Sequence, residues 1–172
     1  MTVGQPSRAA VLLAIAAVSL GGVGAALVTQ HVFDMQPCPW CVLQRLEFVT
    51  IGAIALLGLA WSSASGLRAT LLADLALSVA GMATALWHHF VAVSSTSCNV
   101  TLADRIVSAT GLNRLLPDVF EARATCADAA VKLFGVPYQL WSLTLFTVLA
   151  AFTVWQLLRH RSQTTPGRTL VV

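Results

Sequence analysis

The chain has 172 residues, of which 57% are hydrophobic and only 10% charged, with a formal net charge of +3 and a mean hydropathy of +0.79. Soluble domains run at roughly 45–50% apolar and about 25% charged, so a soluble fold is excluded, and disorder with it. The ten basic residues are dispersed and form no patch for nucleic acid, which leaves a single-domain membrane protein.

The first predicted element, Ala9–Val28, has no ionisable residue and matches the ~20 residues that a bilayer requires. Its apolar run exceeds the roughly 7–15 residues of a cleavable leader's core, so it reads as a retained helix. Gly21, Gly22 and Gly24 give it small-residue faces for helix packing.

A short loop with Asp34 leads to Gln36-Pro37-Cys38-Pro39-Trp40-Cys41. Pro39 suits the first position of a helix capped by Cys38. Cys41 then falls near the third helical position, where free N–H groups and the macrodipole favour a thiolate. The second span, Val42–Trp61, is interrupted only by Arg45 and Glu47. Arg45 lies one turn beyond Cys41 on the same face, and its guanidinium would favour an anion there. An arginine at this depth is a functional candidate, with snorkelling to head groups as the alternative. Glu47 is off that face; it pairs elsewhere or snorkels, and no role is assigned to it.

The third span runs roughly over Ala69–Val93 and carries Asp74, His88 and His89. One of the two histidines either donates a hydrogen bond to a bound carbonyl or belongs to a pair wetted by head groups. A long loop, about residues 94–136, holds Cys98 and Cys126. Within it, Leu102, Ile106, Leu115, Leu116, Val119 and Phe120 lie among charges, which suits a short helix on the membrane surface or a loop covering the bundle. The fourth span is Pro137–Leu158. Backbone groups in lipid must bond internally, so the fold class is all-α, a bundle of four transmembrane helices over residues 1–172.

Orientation follows from the arginines. Arg8, Arg68, Arg159, Arg161 and Arg168 occupy three acid-free segments, whereas charges in the other two loops nearly cancel. Both termini are therefore expected to be cytoplasmic, with both cysteine-bearing loops outside. Trp40, Trp87 and Trp141 mark the outer ends of the spans, and Trp61 and Trp155 the inner ends.

All four cysteines thus share the outer side, where disulfides are permitted. Three pairings are possible, and C-x-x-C spacing favours 38–41 with 98–126. Two structural staples are one reading; closing the 98–126 loop would stabilise by roughly 3–4 kcal/mol. A C-x-x-C ring closes too small a loop to stabilise much, and its usual use is dithiol–disulfide cycling. Zinc needs four converging ligands, which this spacing supports weakly, and no metal is assigned. Haem attachment fails because Val42 follows Cys41.

Over essentially its whole length the chain resembles the disulfide bond formation protein B (DsbB) membrane oxidases of bacteria. The most specific element is Pro37-Cys38-Pro39-Trp40-Cys41-Val42-Leu43-Gln44-Arg45, which is similar to the family's P-C-x-x-C-x-x-x-R signature. Gly135 to Trp141-Ser142-Leu143 is similar to the family's lead into its last helix. The resemblance implies a bacterial inner-membrane location and a thioredoxin-like periplasmic DsbA-type electron donor. It also implies a membrane quinone, ubiquinone or menaquinone, as acceptor. It further implies that Cys98 accepts attack by the partner, Cys126 then attacks Cys38, and Cys41 faces the quinone with Arg45 beside it. Of the two histidines, His89 is the one it favours as a quinone contact, with His88 the alternative. Two other readings are a vitamin K epoxide reductase-like enzyme and a membrane metal-handling protein using the thiols and His88/His89. In the former the loop cysteines normally precede C-x-x-C; here they follow it.

Overall fold

A computed structural model describes residues 7–92 and 101–163. Four long helices, α1 (Arg8–Val32), α2 (Pro39–Ala60), α3 (Ala64–Phe90) and α7 (Tyr138–Gln163), are long and apolar enough to cross a membrane. Between α3 and α7 lie α4 (Leu102–Thr110), the single turns α5 (Leu112–Leu115) and α6 (Pro117–Phe120), and a hairpin of β1 (Lys132–Leu133) and β2 (Val136–Pro137). The protein is an all-α, multi-pass membrane bundle. α1, α2 and α3 begin one to five residues before the predicted spans, because Ser7, Cys38 and Ser63 cap them, while α2 and α3 end one and three residues short of the predicted limits and α7 begins one residue later. Ser7 Oγ accepts from Ala10 N, and Ser63 Oγ from Gly66 N.

The bundle packs most extensively between α3 and α7, α1 and α2, and α2 and α3, whereas α1 and α7 touch sparingly. Its core is built on Leu12, Ile15, Ile51, Leu71 and Phe146, all essentially inaccessible. Phe146 stacks on Phe48 with ring centroids 4.0 Å apart. It fits there because Gly81 leaves the space that a Cβ would take. The glycines of α1 serve differently from the expected packing faces. Gly21 and Gly24 have open space around them, and only Gly22 meets a neighbour, Leu145. The face that α1 buries runs through Leu12, Ile15, Ser19 and Val23 instead.

The segment after residue 100 covers the outer end of the bundle. A reciprocal capping box between Thr101 and Asp104 starts α4, and Gly111 ends it in the left-handed region (φ 71°). Ala103, Val107 and Phe120 are buried against Trp40, Val42 and Leu43 of α2, while Leu102 and Ile106 remain exposed. The stretch is therefore largely helical and packs on the bundle as a cover. In the hairpin, Phe134 and Gly135 both have positive φ (54° and 81°), the conformation that a two-residue turn between twisted strands requires.

Candidate redox site

The site starts at the N-terminus of α2. Cys38 is its N-cap, Pro39 its first residue, and the Cys38 sulfur accepts from the Cys41 backbone N–H at 3.4 Å. This winding brings Cys38 Sγ within 2.9 Å of Cys41 Sγ, both as free thiols. Cys38 is fully buried and Cys41 is partly open.

Two backbone bonds bring the second cysteine loop to the first. The N–H groups of Arg123 and Ala124 both donate to the Pro37 carbonyl, at 2.9 and 3.2 Å. Two residues on, Cys126 enters the same apolar cluster as Cys38, with Trp40, Phe120 and Ala129. The neighbouring Cys38 thiol holds Cys126 below the ordinary thiol range, whereas burial pushes Cys38 well above it. Cys38 therefore touches both Cys41 and Cys126. Cys98 lies outside the described residues, so its pairing with Cys126 has no geometry here, and Cys126 carries a free thiol.

Arg45 does not snorkel. It is 5% exposed, and its Nη1 donates to Gln30 Oε1 at 2.6 Å and to the Val119 carbonyl at 3.1 Å. Nη2 reaches the Ala26 carbonyl at 3.4 Å. Gln30 is held in turn by the Asp118 carbonyl, to which its Nε2 donates. Arg45 thus ties α2 to α1 and to the covering segment.

Cys41 and Arg45 share a wall of a cavity of about 160 Å³. Its other walls are Val23, Ala26 and Thr29 of α1, Gln44 and Phe48 of α2, and Tyr138, Trp141 and Leu145 of α7. The cavity lies where α1 and α7 pack least, and small side chains (Gly22, Ala25 and Ala26) keep it open. Tyr138 Oη and Thr29 Oγ1 are 3.0 Å apart across it. The sequence alone did not single out Gln30, Thr29 or Tyr138; their one visible signal is a polar group at the limit of an apolar run, Thr29 and Gln30 just beyond Val28 and Tyr138 just inside Pro137.

The histidines part company, since adjacent residues on a helix point in different directions. His88 is 1% exposed, with Nε2 3.4 Å from Cys38 Sγ. His89 turns toward α7, with Nδ1 3.0 Å from Gln139 Nε2. Neither is among the residues lining the cavity that holds Cys41 and Arg45. Cys38 Sγ, Cys41 Sγ and His88 Nε2 lie within 4.8 Å of one another. Glu47 is buried and accepts a hydrogen bond from Thr84 of α3, so it pairs between helices and does not snorkel.

A family model described as "Disulfide bond formation protein DsbB" matches residues 7–156. The chain belongs to the DsbB family. "Disulfide bond formation protein B" of Ralstonia nicotianae is 37% identical over 157 residues, covering 91% of this chain and 98% of that protein. The proteins of the same description from Herminiimonas arsenicoxydans and Aromatoleum aromaticum are 33% and 31% identical, over 88% and 90% of this chain and 96% and 95% of theirs. DsbB membership makes the chain an oxidoreductase of disulfide formation with redox-active cysteines.

Proposed function

We propose that this protein reoxidises a periplasmic thioredoxin-like thiol oxidase of the DsbA type and passes the electrons to a membrane quinone. The observation that carries the reading is the position of Cys38, in contact with Cys126 on one side and with Cys41 on the other, while Cys41 opens into the cavity beside Arg45. Both termini would then be in the cytoplasm of a bacterial inner-membrane protein, and all four cysteines in the periplasm.

The relay needs disulfides Cys38–Cys41 and Cys98–Cys126. The partner's thiolate attacks Cys98, forming a mixed disulfide and releasing Cys126 as a thiolate. Cys126 attacks Cys38 Sγ, the Cys38–Cys126 bond forms, and the Cys38–Cys41 bond breaks with its electron pair left on Cys41. The place of Cys126 in the same cluster as Cys38 removes the need for a large loop movement before this attack.

The cavity suits a flat, mostly apolar ring with carbonyl groups. Val23, Phe48 and Leu145 supply apolar walls, while Arg45, Thr29 and Tyr138 supply donors. A quinone bound there would supply a two-electron acceptor for the Cys41 sulfur. Arg45, already buried and fixed by three acceptors, would stabilise negative charge on that sulfur without reorganising.

The test is quinone reduction, followed optically, by purified protein in detergent supplied with a reduced thioredoxin-like oxidase. Stoichiometric oxidation of the partner with quinol formation is expected. Partner oxidation without quinol, or no oxidation at all, overturns the reading.

A further inference from the structure

The trio at the N-terminus of α2 contains one more donor than thiol exchange requires. Exchange needs Cys38, Cys41 and Cys126; it does not need an imidazole nitrogen aimed at Cys38 from another helix. His88 is fully buried, on the opposite element from the cysteines, and its Nε2 is 3.4 Å from Cys38 Sγ. Tetrahedral zinc with Zn–S of about 2.3 Å and Zn–N of about 2.0 Å places sulfur and nitrogen roughly 3.5 Å apart. The Cys38–His88 pair already has that spacing. Two sulfurs on one zinc lie roughly 3.8 Å apart, so Cys41 must swing away from Cys38 by just under about 1 Å from their present 2.9 Å. Cys41 has room to do so, because it borders the cavity. Cys126 lies in the same apolar cluster as Cys38, but its sulfur is not among these three converging atoms and must move in to serve as a fourth ligand.

We propose that the dithiol form of this protein binds one thiophilic divalent cation of the Zn2+ class through Cys38 Sγ, Cys41 Sγ and His88 Nε2, with Cys126 completing the tetrahedron. Binding involves no electron transfer. Two thiols each give up a proton as their sulfurs bond to the metal, and Cys126 gives up a third. The site exists only while Cys38 and Cys41 are reduced, since a disulfide sulfur is a poor zinc ligand. A cation held there keeps Cys38 and Cys41 as metal-bound thiolates, so they cannot be reoxidised to the disulfide that Cys126 attacks, and the relay is arrested. The arrest rests on the function proposed above; the binding itself does not. His89 takes no part, because it faces Gln139.

Cobalt titration of the full-length protein in detergent tests this directly, after phosphine reduction and anaerobic desalting. One equivalent of Co2+ should produce a thiolate-to-cobalt charge-transfer band and the d–d bands of tetrahedral cobalt, both abolished by Zn2+. Oxidised protein should give neither. His88→Ala should weaken binding by at least about tenfold, since even removing an outer-sphere partner of a ligand costs that much. His89→Ala and Cys98→Ser should leave the titration unchanged. In wild-type protein, where no variant can misfold, Zn2+ should shield Cys38, Cys41 and Cys126 from maleimide, read by peptide mass spectrometry, while Cys98 still reacts. Absence of the charge-transfer band from reduced wild-type protein overturns the proposal. So does a band undiminished in His88→Ala, a loss in His89→Ala equal to that in His88→Ala, or equal shielding of Cys98. Failure of quinone reduction with an intact cobalt signal would count against the relay and leave the metal site standing.

Discussion

Replacing Arg45 with alanine removes a buried cation from the junction of α1, α2 and the covering segment. Hydrogen bonds from a charged donor contribute about 1.5–3 kcal/mol each. Those to Gln30 and Val119, at 2.6 and 3.1 Å, are of good length, and the one to Ala26, at 3.4 Å, is weak. The gross loss is therefore about 3–6 kcal/mol. Burying the guanidinium also cost desolvation energy, which its removal returns, so the net destabilisation should fall near the lower figure, about 3 kcal/mol. The rate effect is separate. Losing a fixed donor at developing negative charge typically lowers kcat by about 10²–10³-fold. Arg45→Lys keeps the charge and loses the fork, so it should recover only part of either effect. Gln30→Leu separates the two effects, because it removes the 2.6 Å anchor and leaves the charge beside Cys41. It should lose stability comparably to one charged hydrogen bond and lose rate far less. The assays are thermal unfolding in detergent and initial rate against quinone concentration. An Arg45→Ala protein with both the wild-type midpoint and wild-type kinetics would refute the reasoning.

The Phe146–Phe48 stack needs Gly81 to lack a side chain, so Gly81→Ala should overlap the Phe146 ring and cost about 1–3 kcal/mol in unfolding experiments. Phe146→Leu in the same chain should return part of that loss, and strictly additive effects would mean that the two sites do not touch. After gentle reduction of spheroplasts, an impermeant maleimide should label Cys38, Cys41, Cys98 and Cys126 peptides; labelling only after lysis would reverse the topology. A partner lacking its own resolving cysteine should form a mixed disulfide recovered mainly on the Cys98 peptide. Recovery on Cys126 would exchange the two roles. No adduct at all would favour a structural staple.

Much of this protein is determined by local composition and order. Four long apolar runs, two of them free of charge, dictate four helices because lipid offers the backbone no partner but itself. The arginine asymmetry dictates their expected orientation. Pro39 after Cys38 sets the cap, and the four-residue step from Cys41 to Arg45 puts both on one helical face; both are visible in the sequence because the interactions are local. What the sequence leaves undecided depends on residues far apart in the chain. His88 and His89 are chemically identical neighbours, and only the packing of α3 against α2 and α7 sends one to Cys38 and the other to Gln139. Nothing in the run Ala9–Val28 indicates that Gln30, just beyond it, anchors the guanidinium, because Gln30 acquires that role only when α1 packs on α2. Glu47 is likewise ambiguous until Thr84 faces it. The meeting of Cys126 with Cys38 depends on two backbone donors at Arg123 and Ala124 finding the Pro37 carbonyl, a contact between loops that no periodicity encodes. Local sequence fixes which groups can react, and the tertiary packing decides which of them meet.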